Sequence, residues 1–189
     1  MIFLPADVLT FWFEGDPSVR RKKWFEKNET FDRESARFIP RVRAARAGHH
    51  DGWGDTPAGA LALIVLLDQL SRNAFRGQAE AFAADPRALA LAHASIARGF
   101  DTALAPFERM FMYLPLEHAE NLDDQTEAAR LFESLRADLG AETVDYAHRH
   151  RAVIAEFGRF PHRNAILGRA GTAAEEAYLA RPGSGFRED

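Results

Sequence analysis

Residues 61–77, LALIVLLDQLSRNAFRG, are apolar on every side from Leu61 to Leu67 and then abruptly present Asp68, Gln69, Arg72, Asn73 and Arg76. A helix that is apolar around its whole circumference is buried around its whole circumference. The stretch therefore predicts a central helix packed among other helices, with its polar end emerging from the core and not from open surface. Two further segments share the design. In residues 110–125, MFMYLPLEHAENLDDQ, an apolar run to Leu116 gives way to Glu117, His118, Glu120 and Gln125. In residues 153–169, VIAEFGRFPHRNAILGR, Val153, Ile154 and Phe157 give way to Arg159, His162, Arg163, Asn164 and Arg169.

The rest of the chain agrees with an all-α reading. It carries 34 Ala and 18 Leu against 6 Val and 6 Ile, and the first pair favours helices while β-branched residues favour strands. Periodicity and helix-end signals place helices at about Ala6–Phe13, stopped by Gly15, and Glu29–Ala47, with a short one between Pro17 and Trp24. Thr56 with Pro57 caps a helix reaching about Ser71, and Asp85 with Pro86 caps one closed by Gly99. Pro106 opens a helix to His118 in which Pro115 predicts a kink or a break. Helices at Asp123–Leu139 and Glu142–Phe157 end at glycines, and Thr172 with Glu175 forms a capping box for the last, to about Leu179. The expected architecture is a single domain over residues 1–189, an irregular antiparallel array of about eight helices with no sheet.

Composition also excludes several function classes. With 189 residues and no cysteine, the chain has no disulfide, thiol nucleophile or Cys-ligated metal site. A net charge of −4 argues against a nucleic-acid binder. The longest apolar run, Ala58–Leu67, is about half of a membrane span, and the N-terminus lacks the features of a signal peptide. A soluble, cytoplasmic protein with no membrane partner is expected. No P-loop, dinucleotide fingerprint or nucleophile elbow is present, so no cofactor is assigned.

The three polar ends belong to alternate helices, which run parallel in an up-and-down array. Their C-terminal ends should therefore lie on one side of the molecule and meet in a pocket containing Asp68, Arg72, Asn73, Glu117, His118, Glu120, Arg159, His162, Arg163 and Asn164. Glu117, His118 and Glu120 are the candidate catalytic residues: Glu117 and Glu120 share a helix face, close enough for one carboxyl to be pushed up into the acid–base range. Asp68, Arg72, Asn73, Arg159, His162, Arg163 and Asn164 are the candidate ligand-binding residues, since arginines beside a helix end suit a carboxylate or phosphate. Arg72, Arg159, Arg163 and Arg169 bring fixed positive charge, so anions should be preferred to metal ions. Neither a His-Glu-x-x-His pair nor a Glu-x-x-His pair of the di-iron type occurs, and no metal is assigned. Each cluster also has a structural reading: Asp68 and Arg72 have the spacing of an intrahelical ion pair, and buried charges often only satisfy one another.

The chain resembles a bacterial family known only as domain-of-unknown-function family 924, which has a TPR-like helical fold. The resemblance is carried by residues 8–13 (VLTFWF), 67–69 (LDQ), 72–73 (RN), 75–77 (FRG), 113–118 (YLPLEH), 157–164 (FGRFPHRN) and 167–169 (LGR). The family has Phe-Pro where this chain has Leu70-Ser71. The resemblance implies a fold and brings no activity. Two function classes therefore stand: a site for a small anionic or polar molecule with acid–base chemistry, or a helical scaffold whose concave face receives a peptide or protein partner. The first is favoured because the unusual residues concentrate at apolar helix ends, whereas a peptide-binding array spreads them along exposed faces.

Overall fold

The computed structural model describes residues 2–184 and Phe186. Among these the fold is all-α: no strand is present, and helices α1 (Pro5–Phe13), α2 (Glu29–Ser35), α3 (Ile39–Arg46), α4 (Pro57–Ile64), α5 (Ser71–Ala74), α6 (Asp85–Ala97), α7 (Pro106–Glu117), α8 (Leu122–Glu133), α9 (Arg136–Leu139), α10 (Ala141–Phe157) and α11 (Ala173–Leu179) follow one another with short 3-10 turns between them. Among the described residues, no helix is long and apolar enough to cross a membrane.

The central stretch is buried throughout: every residue from Ala60 to Leu67 is at most 2% exposed. Helix α4 packs against α1, α6 and α7, while α8 lies between α7 and α10. Aromatic side chains close the N-terminal side of this core. Trp12 stacks on Trp24 with centroids 6.2 Å apart, and both meet the Phe111 ring edge-on at 5.2 and 4.9 Å. A smaller cluster of Val153, Ile154 and Phe160 sits beneath the C-terminal segment.

Helix ends follow their local chemistry. The Thr56 hydroxyl accepts from Gly59 N, Asn28 from Phe31 N, and Asn121 from both Asp123 N and Asp124 N. The Thr172–Glu175 capping box forms as its spacing requires. Several boundaries differ from the sequence reading. Pro115 does not break its helix, which continues to Glu117. The segment after Pro17 forms only a 3-10 turn at Lys22–Trp24, and the loop at 48–55 coils into another at Asp51–Asp55. The expected helix from Glu29 is interrupted by a 3-10 turn at Ala36–Phe38, and the expected Asp123–Leu139 helix divides after Glu133.

The most consequential difference lies in the central helix. Between α4 and α5 the backbone winds as a π-helix, Val65–Leu70. A π-segment widens the turn and places side chains where α-periodicity would not, and such segments concentrate at functional sites. Asp68 lies within it.

Candidate functional site

Asp68 is completely buried, and its carboxylate is surrounded by donors. Oδ1 accepts from His118 Nδ1 at 2.7 Å and lies 2.9 Å from Arg72 Nη1, while Oδ2 accepts from the Gln69 side-chain amide. Burial alone would raise the Asp68 carboxyl. The Arg72 charge and the His118 contact override burial and hold it below its ordinary range. Asp68 is therefore ionised, and an ionised carboxylate only accepts, which fixes the proton of His118 on Nδ1. Burial holds the imidazole below its usual pKa, against the opposing pull of Asp68. His118 is neutral at pH 7, with the Nε2 lone pair turned away from Asp68.

Arg72 makes a second, bidentate contact: Nη1 and Nη2 donate to the two oxygens of Asp85 at 3.0 and 2.9 Å. Asp85 reads in the sequence as a helix cap. In the structure Ala84 occupies the N-cap position of α6, and the Asp85 side chain turns to the arginines. Asp85 is thus a site residue that sequence reasoning missed, because a cap and a partly buried ion-pair partner have the same residue type at the same place before a proline.

Arg163 comes from the turn after α10 and is 6% exposed. Nη1 donates to the His118 carbonyl at 3.0 Å, and the nearest Asp85 oxygen is 3.7 Å away. The guanidinium carbon lies 4.4 Å from the Phe160 centroid and 5.0 Å from that of Phe82. Nε is buried and meets no acceptor among the described residues. Burial, and then the Arg72 charge, push this guanidinium down to about 10. It is a desolvated cation with incomplete compensation.

Glu117, 3% exposed, faces away from this group toward α10. Its Oε1 is 3.2 Å from His150 Nδ1, which also donates to the Tyr146 carbonyl at 3.0 Å. Burial and the charge of Asp68 raise the Glu117 carboxyl to about 8, so it holds its proton at pH 7. Burial likewise holds His150 well below its ordinary value. Gln125, fully buried, donates through Nε2 to the carbonyls of Glu117 and Ala119 and fastens the end of α7.

The structure therefore brings Asp68, Arg72, His118 and Arg163 into one group through Asp85, with Glu117 beside it. The remaining candidates serve other contacts. Glu120 binds Arg169 in a bidentate pair at 2.6 and 2.9 Å and accepts from Phe160 N at 2.8 Å, while Arg169 Nε donates to Asn164 Oδ1 at 3.0 Å. These contacts brace the turn that carries Arg163. Arg159 pairs with Glu175 at 2.6 and 2.8 Å and ties α11 down. Asn73 donates to Asp32, which is also held by Arg76. His162 lies 5.5 Å from Phe160, measured between ring centroids. Among the described residues, no group of three or more His, Asp or Glu is placed to hold a metal ion. An open cleft of about 270 Å³ is lined by Arg149, Val153, Glu156, Tyr178, Arg181 and Phe186, whose ring stacks on His150.

A family model described as a bacterial protein of unknown function, DUF924, matches residues 8–183. The chain is also similar to a solved structure, a protein of unknown function, ATU0120, from Agrobacterium tumefaciens: 41% sequence identity, TM-score 0.82, covering 93% of this chain and 96% of that one. No curated protein matches the chain.

Proposed function

The chain belongs to the DUF924 family of bacterial proteins of unknown function, and because membership assigns no activity, we propose from the buried group itself that the protein binds a small anionic molecule and exchanges a proton with it. The observation that carries this reading is Arg163: a guanidinium buried beside Phe160 and Phe82 whose Nε meets no acceptor among the described residues. An unsatisfied buried donor costs on the order of 1–3 kcal/mol, and an anion on the Nε side supplies the missing acceptor.

The chemistry beside that position is acid–base. Asp68 holds the His118 ring in one tautomer through Nδ1, leaving Nε2 as the basic atom. The same arrangement orients and polarises a general base wherever a carboxylate backs an imidazole. Arg163, anchored to the His118 carbonyl, positions the anion next to that ring. A small-molecule site fits these residues better than a peptide groove, because they are buried at helix ends.

The test is a thermal-shift series at matched ionic strength. Sodium phosphate, sulfate and acetate, as a panel of anions, are expected to include at least one that raises Tm above the chloride value saturably. Arg163→Ala is expected to remove that rise. An equal rise in the variant is general salt exclusion, and overturns the proposal.

A further inference from the structure

We propose that the anion received by Arg163 is the carboxylate of a small organic acid, in preference to phosphate or sulfate. This rests on the reading of Arg163 as the anion receptor and adds its chemical class.

Geometry supplies the first argument. Arg163 spends Nη1 on the His118 carbonyl, at 3.0 Å, and on approach to Asp85. What remains is the Nε and Nη2 edge, two parallel N–H groups in one plane. That edge matches the two coplanar oxygens of a carboxylate with none left over. A tetrahedral oxyanion engaging the same edge brings further oxygens that need donors of their own. The neighbouring arginines are committed elsewhere: Arg72 to Asp68 and Asp85, Arg169 to Glu120, Arg159 to Glu175.

Charge supplies the second. The ion pairs around Arg163 join three carboxylates, Asp68, Asp85 and Glu120, to three arginines, Arg72, Arg163 and Arg169, so the formal charges already balance. A monoanion adds one negative charge, which a single proton on His118 Nε2 offsets. A dianion leaves a buried charge without a partner, which is strongly unfavourable. The third argument is the apolar neighbourhood. Phe160 is fully buried and Phe82 half-buried against the guanidinium. An alkyl or aryl body can meet the exposed part of the Phe82 ring there, and an inorganic oxyanion gains nothing from it.

The experiment titrates the full chain with acetate, butyrate, phosphate and sulfate at pH 7.5 and constant ionic strength, reading Tm and the Nε–Hε resonance of Arg163 by NMR. Butyrate and acetate are expected to raise Tm saturably, by about 3 °C or more near saturation, with butyrate the tighter of the two. Phosphate is expected to match chloride. Sulfate is expected to stabilise without saturating, equally in wild type and variant. Arg163→Lys keeps the charge but loses the planar fork, and is expected to weaken carboxylate binding at least tenfold. Should that variant fail to fold, the Arg163 Nε–Hε resonance decides in wild type, moving with butyrate and staying fixed with phosphate. Phosphate binding saturably and more tightly than butyrate, with the Nε–Hε resonance following it, overturns the carboxylate assignment while leaving an anion site. No anion moving that resonance overturns both.

Discussion

Asp68 shows how a single buried carboxylate can organise a group of residues. Its two oxygens serve His118, Arg72 and Gln69 at zero exposure, so removing its charge leaves Arg72 with one carboxylate instead of two and His118 facing an amide. Asp68→Asn is expected to cost about 3 kcal/mol or more, the scale for breaking a buried pair from one side, measured by urea denaturation. Glu117 behaves in the opposite way. Its carboxyl is raised to about 8 in the fold from an ordinary 4.5, so between those values the folded chain keeps a proton that the unfolded chain has released. Its contribution to stability is full below about pH 4.5 and is lost as pH rises toward and through 8, by at most about 1.4 kcal/mol per pH unit. Glu117→Gln carries no such proton. Unfolding free energies of the two proteins measured from pH 5 to 9 should diverge in favour of the variant as pH rises and run parallel above about 9. A constant difference across that range would show that Glu117 is ionised in the fold.

Among the elements, α4 and its π-helical continuation form the buried centre, with every residue from Gly59 to Leu70 buried. A Cβ added at Gly59 would meet the Trp53 carbonyl oxygen at 2.2 Å, a distance no relaxation of a flexible side chain can relieve. Gly59→Ala should therefore destabilise, against the gain of about 1 kcal/mol that alanine brings to an ordinary helix interior. Thermal denaturation checks the sign. Helix α11 is short, at seven residues, and depends on its ends: Thr172 accepts from Glu175 N, and Glu175 in turn holds Arg159. Thr172→Ala is expected to cost about 1 kcal/mol, and the loss should be read as faster amide exchange in α11 with little change in α4. The π-segment has no comparable local signal. Residues 65–70, VLLDQL, read as uninterrupted α-helix, because α- and π-winding of an apolar helix need the same residue types and only the packing around the segment selects between them.

For the whole molecule, the ends of three sequence-distant segments come together: the π-segment with Asp68, the end of α7 with His118, and the turn after α10 with Arg163. The main apolar core runs from Val8 to Ala147, while the C-terminal turn rests on the small cluster of Val153, Ile154 and Phe160. The bridges from Glu120 to Arg169 and from His118 to Arg163 join the two. With those in place, calorimetric unfolding is expected as one transition with equal calorimetric and van't Hoff enthalpies; two transitions would show that the C-terminal part melts by itself. The sequence alone determined the all-α class, most helix positions, the Thr56 and Thr172 caps, the burial of residues 61–67 and the segments whose polar ends matter, because composition, periodicity and capping act within a few residues of chain. It also supplied the candidates Asp68, Arg72, His118 and Arg163. Which arginine keeps an unpaired edge was decided only by the tertiary structure: Arg72, Arg159, Arg163 and Arg169 are alike in sequence, and differ by the carboxylates that other helices bring to them. The same holds for Asp85, which turned from helix cap to ion-pair partner, for Asn73 and Arg159, which serve Asp32 and Glu175, and for Glu117, which meets His150 on α10. Such pairings are made between groups far apart in the chain, and the charge state of each follows from burial that exists only once the helices have packed.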